Sequence, residues 1–422
     1  MQGHPNTELA HDLGTAPVGV RNRLRTGAAE VEHKLVGRLR GKPDTPPLPV
    51  ALAALQAFQP LNPNNAGIHR LGDVGANNPW RSTRQLEAEA VAETVELLGE
   101  NRSRCSGYLN SGSTEGNITA MWWARKRATS QGRLLRVIAP ATVHYSVTKA
   151  VDLLGLDGAL KLLPVDHNLQ VSPAALDTAL AESRRERRSV LVIATAITTA
   201  TGTIDALSPI EEILDRHPDV PSGIHLDAAI GGLLVPFTEG WQPWSERPSL
   251  LSVTVDWHKL AGVPYSAGML VFRSGAEAYG QPVAMISTGL DETVLGSRSG
   301  ATAGAVWATL RSLGADGLTH RARRCVALRN SLLESLKDDL ALEVHAPPAS
   351  NVAAIRLSAS DPAVGRLAAQ LEPSSVYPSS VAGHPDDVYF PAFCMPHNTE
   401  DEVGRFVEDV RSALNAPRRK VS

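Results

Sequence analysis

Cysteine is scarce: Cys105, Cys325 and Cys394 are the only three in 422 residues. Three thiols at wide spacing exclude a disulfide framework of the small secreted kind and a zinc knuckle, and they fit a reducing compartment. Charge imbalance is also missing. A formal net charge of -3 gives no electrostatic footprint for nucleic acid, and the basic clusters at Arg184, Arg185, Arg187, Arg188 and 418–420 read as solvated faces or tails. No run reaches the roughly 18 apolar residues that span a bilayer. The opening stretch MQGHPNTELAHDLG lacks a basic region followed by an apolar one. The expectation is a cytoplasmic protein with neither a membrane nor a nucleic-acid partner.

What is present is a globular composition, 43% hydrophobic and 20% charged, enough for one large unit and a smaller satellite. Residues 1–65 are rich in Pro, Asn and Arg and read as an N-terminal arm. One helix is expected around Ala28 to Leu39, and KPDTPPLP and FQPLNPNN read as extended loops. From residue 83 the pattern is regular. TRQLEAEAVAETVELLGE is an amphipathic helix, and short apolar runs (CSGYLN, LLRVIAP, SVLVIATA, SGIHLDAA, LLSVTVDW) then alternate with helical or loop segments, as in a parallel α/β sheet. The boundaries read as a large domain over 66–315 and a small C-terminal α+β domain over 316–422.

Ligands of open parallel sheets bind beyond the C-terminal strand ends, and the informative residues cluster there. NSGSTEGN, residues 110–117, lies between a strand and a helix, so Gly112, Ser113 and Thr114 can aim N–H groups and hydroxyls at an anion. The stretch lacks the lysine of a nucleotide P-loop and the serine of a nucleophile elbow; by itself it is equally a capped turn. IHLDAA ends a strand on Asp227, which needs a cation or donors there: a structural ion pair, a helix N-cap, or a metal site with His225 and His258. Lys259, in VDWHKLAG, is either a snorkelling surface lysine or an amine held at a strand end. Together an anion cradle, a buried carboxylate and a strand-end amine are the parts that hold pyridoxal 5'-phosphate.

At this point the chain resembles the group II pyridoxal-phosphate decarboxylases of fold type I, in the pattern of bacterial histidine and plant serine decarboxylases. The likeness runs from about Gly72 to Val410. It is carried by SGSTEGN, HYSVTKA, ITTATGTIDAL, HLDAA, DWHKLAG, GSRSG followed by Trp307, and MPHNTEDEV, in that order. It implies the α/β, PLP-dependent transferase fold of type I: a large domain with a mainly parallel sheet flanked by helices, plus a small C-terminal domain. It implies that Lys259 bonds covalently to the cofactor, that Asp227 pairs with the ring nitrogen and that His144 stacks on the ring. Ser113, Thr114 and His258 would hold the phosphate with Asp256 or Thr254 beside them, and Thr199 and Ala229 would line the cofactor. The resemblance further implies a homodimer with its site at the interface, where Arg298 acts in trans, and a small amino-acid-type substrate.

One departure bears on the product. Relatives are expected to present a loop tyrosine that returns a proton to Cα after CO2 leaves; here VAMISTGLDETVLGSRSG has Met285 near that place, and Ser287, Thr288 and Tyr265 are the other candidate hydroxyls. Loss of that tyrosine is associated with reaction with O2, giving an aldehyde and ammonia in place of an amine. β-Elimination is a further outcome, since the sequence also resembles, more loosely, actinobacterial enzymes that process cysteine S-conjugates in lincosamide antibiotic assembly. In NAGIHRLGDVGANNPWRSTRQ, His69, Arg70, Asn77, Asn78 and Arg84 either read a substrate or satisfy loop backbone. Outside the cofactor class, the alternatives are a metal-dependent hydrolase on His225, Asp227 and His258, and a non-catalytic scaffold.

Overall fold

The computed structural model describes residue 23 and residues 38–72, 79–238, 241–282, 290–339, 342–382 and 384–415. Most of the helix expected around Ala28 to Leu39 therefore lies outside the described residues. A helix not expected from sequence, α1 (Pro49–Phe58), stands between the two loop-like segments, with its proline in the first turn, where a missing N–H costs nothing. Helix α2 (Arg81–Leu97) buries Ala88, Val91 and Val95, three or four residues apart on one face, as an amphipathic stripe requires.

The chain then alternates through β1 (Cys105–Asn110), α3 (Ser113–Ser130), β2 (Leu135–Pro140), α4 (Tyr145–Leu153), β3 (Leu160–Leu163), α5 (Pro173–Arg185), β4 (Ser189–Thr195), α6 (Leu207–Asp215), β5 (Ser222–Asp227), β6 (Leu250–Asp256) and β7 (Gly268–Arg273). These strands form one seven-stranded sheet in the order β1-β7-β6-β5-β4-β2-β3. Its centre reads as continuous apolar sequence because helices cover both faces: every residue of β4 is buried, as parallel sheets demand. β7 runs antiparallel to both β6 and β1 and was not anticipated. The connection over 257–267 carries no helix, and without a crossover element a following strand must reverse direction.

After the short antiparallel pair β8 (Gln281–Pro282) and β9 (Leu290–Asp291), a long helix α7 (Gly300–Leu336) is broken at Gly314, whose φ of 56° and ψ of -171° only glycine adopts readily. Beyond it come β10 (Glu343–His345), β11 (Val352–Ser358), α8 (Ala363–Leu371), β12 (Ser379–Val381), β13 (His384–Phe393) and α9 (Glu400–Asn415). The four strands form an antiparallel sheet, β10-β11-β13-β12. Leu332, Leu367, Phe406 and Val410 pack into its own core, each contributing about 1.5–3 kcal/mol of apolar burial. α9 starts on a capping box: Glu402 N–H donates to Thr399 Oγ1 at 3.3 Å, and Thr399 N–H donates to Glu402 Oε2 at 3.0 Å.

Two features of the large sheet position the site. The chain leaves β2 for the outer strand β3 and returns on the other side as β4, so a crevice opens between the β2 and β4 ends. Asp227 at the end of β5 lies in register with Thr195 of β4 and Thr254 of β6, so three strand ends share one rim. The three cysteines are buried and unbonded. Among the described residues no helix is long and apolar enough to cross a membrane.

Candidate active site

A cavity of about 320 Å³ opens at this rim, and its walls include Ser113, Thr114, His144, Asp227, His258 and Lys259. Gly112, Thr199, Ala229 and Asp256 also line it. Ten residues read from five separate segments of sequence are thus brought to one place.

Lys259 follows β6 by three residues and points its ammonium at Asp256, with Nζ 3.0 Å from Oδ2. It is not a surface lysine: its side chain is mostly buried and lines the cavity. Asp256 is more occupied than expected. Its Oδ1 accepts from both the backbone N–H and the hydroxyl of Ser113, at 2.7 and 2.8 Å. A carboxylate of the chain itself therefore meets the positive N-terminus of α3, and Lys259 and Ser113 are both engaged by it. His258 completes this wall, its Nε2 3.4 Å from Asp256 Oδ2 and its Nδ1 facing the Ala267 carbonyl at 2.9 Å. Burial lowers its pKa. The turn that brings Ser113 here depends on Gly112, whose φ of 150° disfavours any side chain. Gly116, one turn into α3, lets the helix approach β6, since a Cβ there would stand 2.3 Å from Thr254 Oγ1.

Asp227, which lines the same cavity, is buried. Its Oδ2 accepts from Asn117 Nδ2 at 2.8 Å and its Oδ1 from the Ala229 N–H at 3.2 Å. Neither a structural ion pair nor an N-cap accounts for it. His144 caps α4, its Nδ1 facing the Ser146 N–H at 3.3 Å and the Ser146 hydroxyl at 2.9 Å. Burial depresses its pKa against the opposing pull of Asp227, so the ring is held neutral with its lone pair on Nδ1.

The metal-dependent alternative fails on geometry. Both ring nitrogens of His225 are engaged, Nδ1 by Ser252 Oγ at 2.7 Å and Nε2 by Asn117 Oδ1 at 2.8 Å, so His225 does not converge with Asp227 and His258. Among the described residues no group of three or more His, Cys, Asp or Glu could hold a metal ion.

The proposed substrate readers sit elsewhere. Arg298 forms a buried ion pair with Glu87 at 2.6 Å and donates to the carbonyls of Leu109 and Gly67. His69 Nε2 faces the Asn65 carbonyl at 3.3 Å, Arg70 pairs with Glu277, and Arg84 donates to the Asn64 carbonyl. None of these four lines the cavity in this chain. Asn77, Asn78, Met285, Ser287 and Thr288 lie outside the described residues. Tyr265 does line the cavity, but its hydroxyl donates to Asp44 at 2.9 Å while its ring packs on His258.

Sequence reasoning missed Asn117, although it stands in the quoted NSGSTEGN, and Ser146, the third residue of HYSVTKA. It also missed Ile197, a β-branched cavity residue held at φ 70°. Backbone strain of that kind collects at functional sites, and nothing in sequence signals it.

Pyridoxal phosphate suits these walls on three counts: a glycine-built turn that brings Ser113 and Thr114 to the cavity, a buried carboxylate with donors but no paired cation among the described residues, and a partly desolvated amine. Comparison with known proteins points the same way. The family model described as the pyridoxal-dependent decarboxylase conserved domain matches residues 89–357. The chain is 31% identical over 383 residues to a probable L-tyrosine/L-aspartate decarboxylase of Methanothrix thermoacetophila, covering 89% of this chain and 90% of the relative. It is 28% identical to a probable L-aspartate decarboxylase of Archaeoglobus fulgidus, covering 88% and 93%. Two solved structures share the fold. The sphingosine-1-phosphate lyase of Burkholderia pseudomallei has a TM-score of 0.76 at 22% identity, over 98% of this chain and 91% of that one. The L-methionine decarboxylase of a Streptomyces species has a TM-score of 0.75 at 19% identity, over 95% and 96%. With the family model spanning well over half of its length, the chain belongs to the pyridoxal-dependent decarboxylases.

Proposed function

We propose that this decarboxylase removes the α-carboxyl group of an L-amino acid or amino-acid conjugate, with Lys259, Asp227 and His144 as its catalytic residues. The observation that carries the reading is that Lys259 and Asp227 line one cavity, together with the Gly112 turn between β1 and α3. Bound pyridoxal phosphate supplies an electron-poor ring that accepts the electron pair left when a bond to Cα breaks. The chain's own residues do the rest. Lys259 provides the amine that anchors the cofactor, and Asp227 holds a proton at the ring nitrogen. His144, which accepts at Nδ1, would lie against the ring and keep Nε2–H as a donor. Ser113, Thr114 and His258 receive the phosphate, with Asp256 beside them.

The proton that Cα takes after CO2 leaves decides the product. Met285 in place of the expected tyrosine supports a second, O2-dependent outcome: amino acid, O2 and water giving aldehyde, CO2, ammonia and hydrogen peroxide. The looser likeness to lincosamide-processing enzymes supports a place in antibiotic biosynthesis, with β-elimination from a cysteine S-conjugate as the alternative reaction. A homodimer is supported by Tyr145 and Tyr265, 63% and 66% exposed at the cavity, where a partner chain would cover them. Three buried, unbonded thiols support a cytoplasmic setting. The Gly314 break supports a division between a large domain over 66–315 and a small one over 316–422, with 1–65 as the arm.

A substrate panel tests the reading: L-tyrosine, L-aspartate, L-histidine, L-serine, L-methionine and cysteine S-conjugates, with CO2, amine, aldehyde, pyruvate and O2 measured together. CO2 with amine, or CO2 with aldehyde and O2 loss, supports decarboxylation and separates its two forms. Pyruvate or a released thiol without CO2 overturns it in favour of elimination.

A further inference from the structure

Behind the cavity wall the hydrogen bonds continue into the interior as one connected chain. Ser252 Oγ meets His225 Nδ1 at 2.7 Å, and His225 Nε2 meets Asn117 Oδ1 at 2.8 Å. The Asn117 amide donates twice, to Asp227 Oδ2 at 2.8 Å and to Ser146 Oγ at 2.9 Å. Ser146 Oγ meets His144 Nδ1 at 2.9 Å. Ser252, His225, Asn117 and Ser146 are buried and none of them lines the cavity.

The direction of every bond follows from its end. A carboxylate only accepts, so Asn117 must turn its NH2 group to Asp227 and its carbonyl to His225. His225 must then carry its proton on Nε2 and accept the Ser252 hydroxyl on Nδ1. Burial holds this imidazole neutral, its pKa pushed down to about 4, which leaves it one donor and one acceptor. Both amide hydrogens of Asn117 being spent, Ser146 accepts one and turns its own hydroxyl proton to His144. A flipped Asn117 amide would set carbonyl against carboxylate at Asp227 and withdraw the donor from Ser146 at once.

We propose that His225 and Asn117 are positioning residues: through one amide they fix the orientation of Asp227 and, together with the Ser146 backbone N–H that donates to Nδ1 at 3.3 Å, the tautomer of His144. Their effect on the reaction passes entirely through those two side chains. The inference rests on the reading that Asp227 meets the cofactor's ring nitrogen and His144 its face.

The test uses the full chain loaded with ring-15N pyridoxal phosphate. It compares wild type with His225→Leu, His225→Gln, Asn117→Leu and Asp227→Asn by the ring-nitrogen NMR shift, by the Kd of the cofactor-free protein for pyridoxal phosphate, and by thermal unfolding. In His225→Leu and Asn117→Leu the nitrogen signal should move toward that of Asp227→Asn, and the Kd should weaken roughly tenfold, the scale of one hydrogen bond to a charged group. His225→Gln keeps an N–H for Asn117 and should restore both. A structural role would lower thermal stability in all the His225 and Asn117 variants and leave the nitrogen signal of the folded fraction where it was; that result overturns the proposal. If Asp227→Asn itself leaves the signal unchanged, the assignment of Asp227 to the ring is what fails. Should His225→Leu not fold, Ser252→Ala frees Nδ1 with little change in volume and should shift the signal in the same direction. An unshifted signal and unchanged Kd there overturn the proposal equally.

Discussion

Glu87 and Asp227 are both buried carboxylates, and they have opposite surroundings. Glu87 is saturated: Oε1 accepts from Arg298 at 2.6 Å and from the Leu109 N–H at 2.9 Å, while Oε2 accepts from Asn65 Nδ2 at 2.7 Å. Asp227 has two neutral donors, no cation paired to it among the described residues, and a cavity in front of it. The first arrangement holds a loop, a strand and a helix together. The second leaves a carboxylate facing an open cavity with no cation paired to it among the described residues. Burial of an acid therefore says little about function until its partners are counted; a carboxylate that is oriented but not neutralised is the one with work to do.

Substitutions can break that contrast. The largest effect is expected at Lys259, in the same cavity as Asp227: Lys259→Ala should abolish turnover, and borohydride should no longer trap cofactor on the protein, both read directly by assay and mass spectrometry. Asp227→Asn should cost orders of magnitude in kcat while leaving the melting temperature nearly unchanged, because no cation loses its partner. Glu87→Ala should do the reverse. It strands Arg298 with its charge buried, a loss of about 3–5 kcal/mol, measurable by denaturant unfolding, with activity per folded molecule largely kept. Equal stability losses in the two acid variants would sink the distinction.

Acid should sharpen the same comparison through His225. Its pKa is about 4 in the folded chain against an ordinary 6.5, so the unfolded state binds the proton first. The stability tied to the neutral ring is fully present above pH 6.5 and is lost as pH falls toward 4, by about 3 kcal/mol at most. His225→Gln should flatten that part of the stability profile in urea titrations between those limits. The smallest effect is expected at the turn. Gly112→Ala has room for its Cβ, whose nearest neighbour is His258 Cε1 at 3.5 Å, but must hold φ near 150°. A loss of about 1 kcal/mol and weaker cofactor phosphate binding should follow, and unchanged stability would show that the turn relaxes.

Much of the cofactor wall was legible because each part has a local signature. A glycine-rich turn before a helix, an acid closing an apolar strand and a lysine beyond the next strand are all readable within a few residues. α1 was not legible, because PVALAALQAF sits between proline- and asparagine-rich segments that read as loop. β7 could have been read as a strand, and its direction follows from the helix-free connection before it. The surroundings of the candidate substrate readers were not legible, for a different reason. Arg70 and Arg298 are charged residues in loops, and their partners lie far away along the chain, Glu277 being 207 residues from Arg70 and Glu87 211 from Arg298.

By itself the sequence determined the alternation of strands and helices, the inventory of groups that line the cavity, and the absence of the expected tyrosine from VAMISTGLDETVLGSRSG. Those are properties of neighbouring residues, set by periodicity and by side-chain chemistry. Only the tertiary structure decided which buried acid is neutralised and which is open, that His225 serves an amide and not a metal, and that Asp256 meets both Ser113 and Lys259. Hydrogen bonds and ion pairs act over a few ångströms, and the groups that make them here are brought within that range by strands and helices separated by more than a hundred positions in the chain.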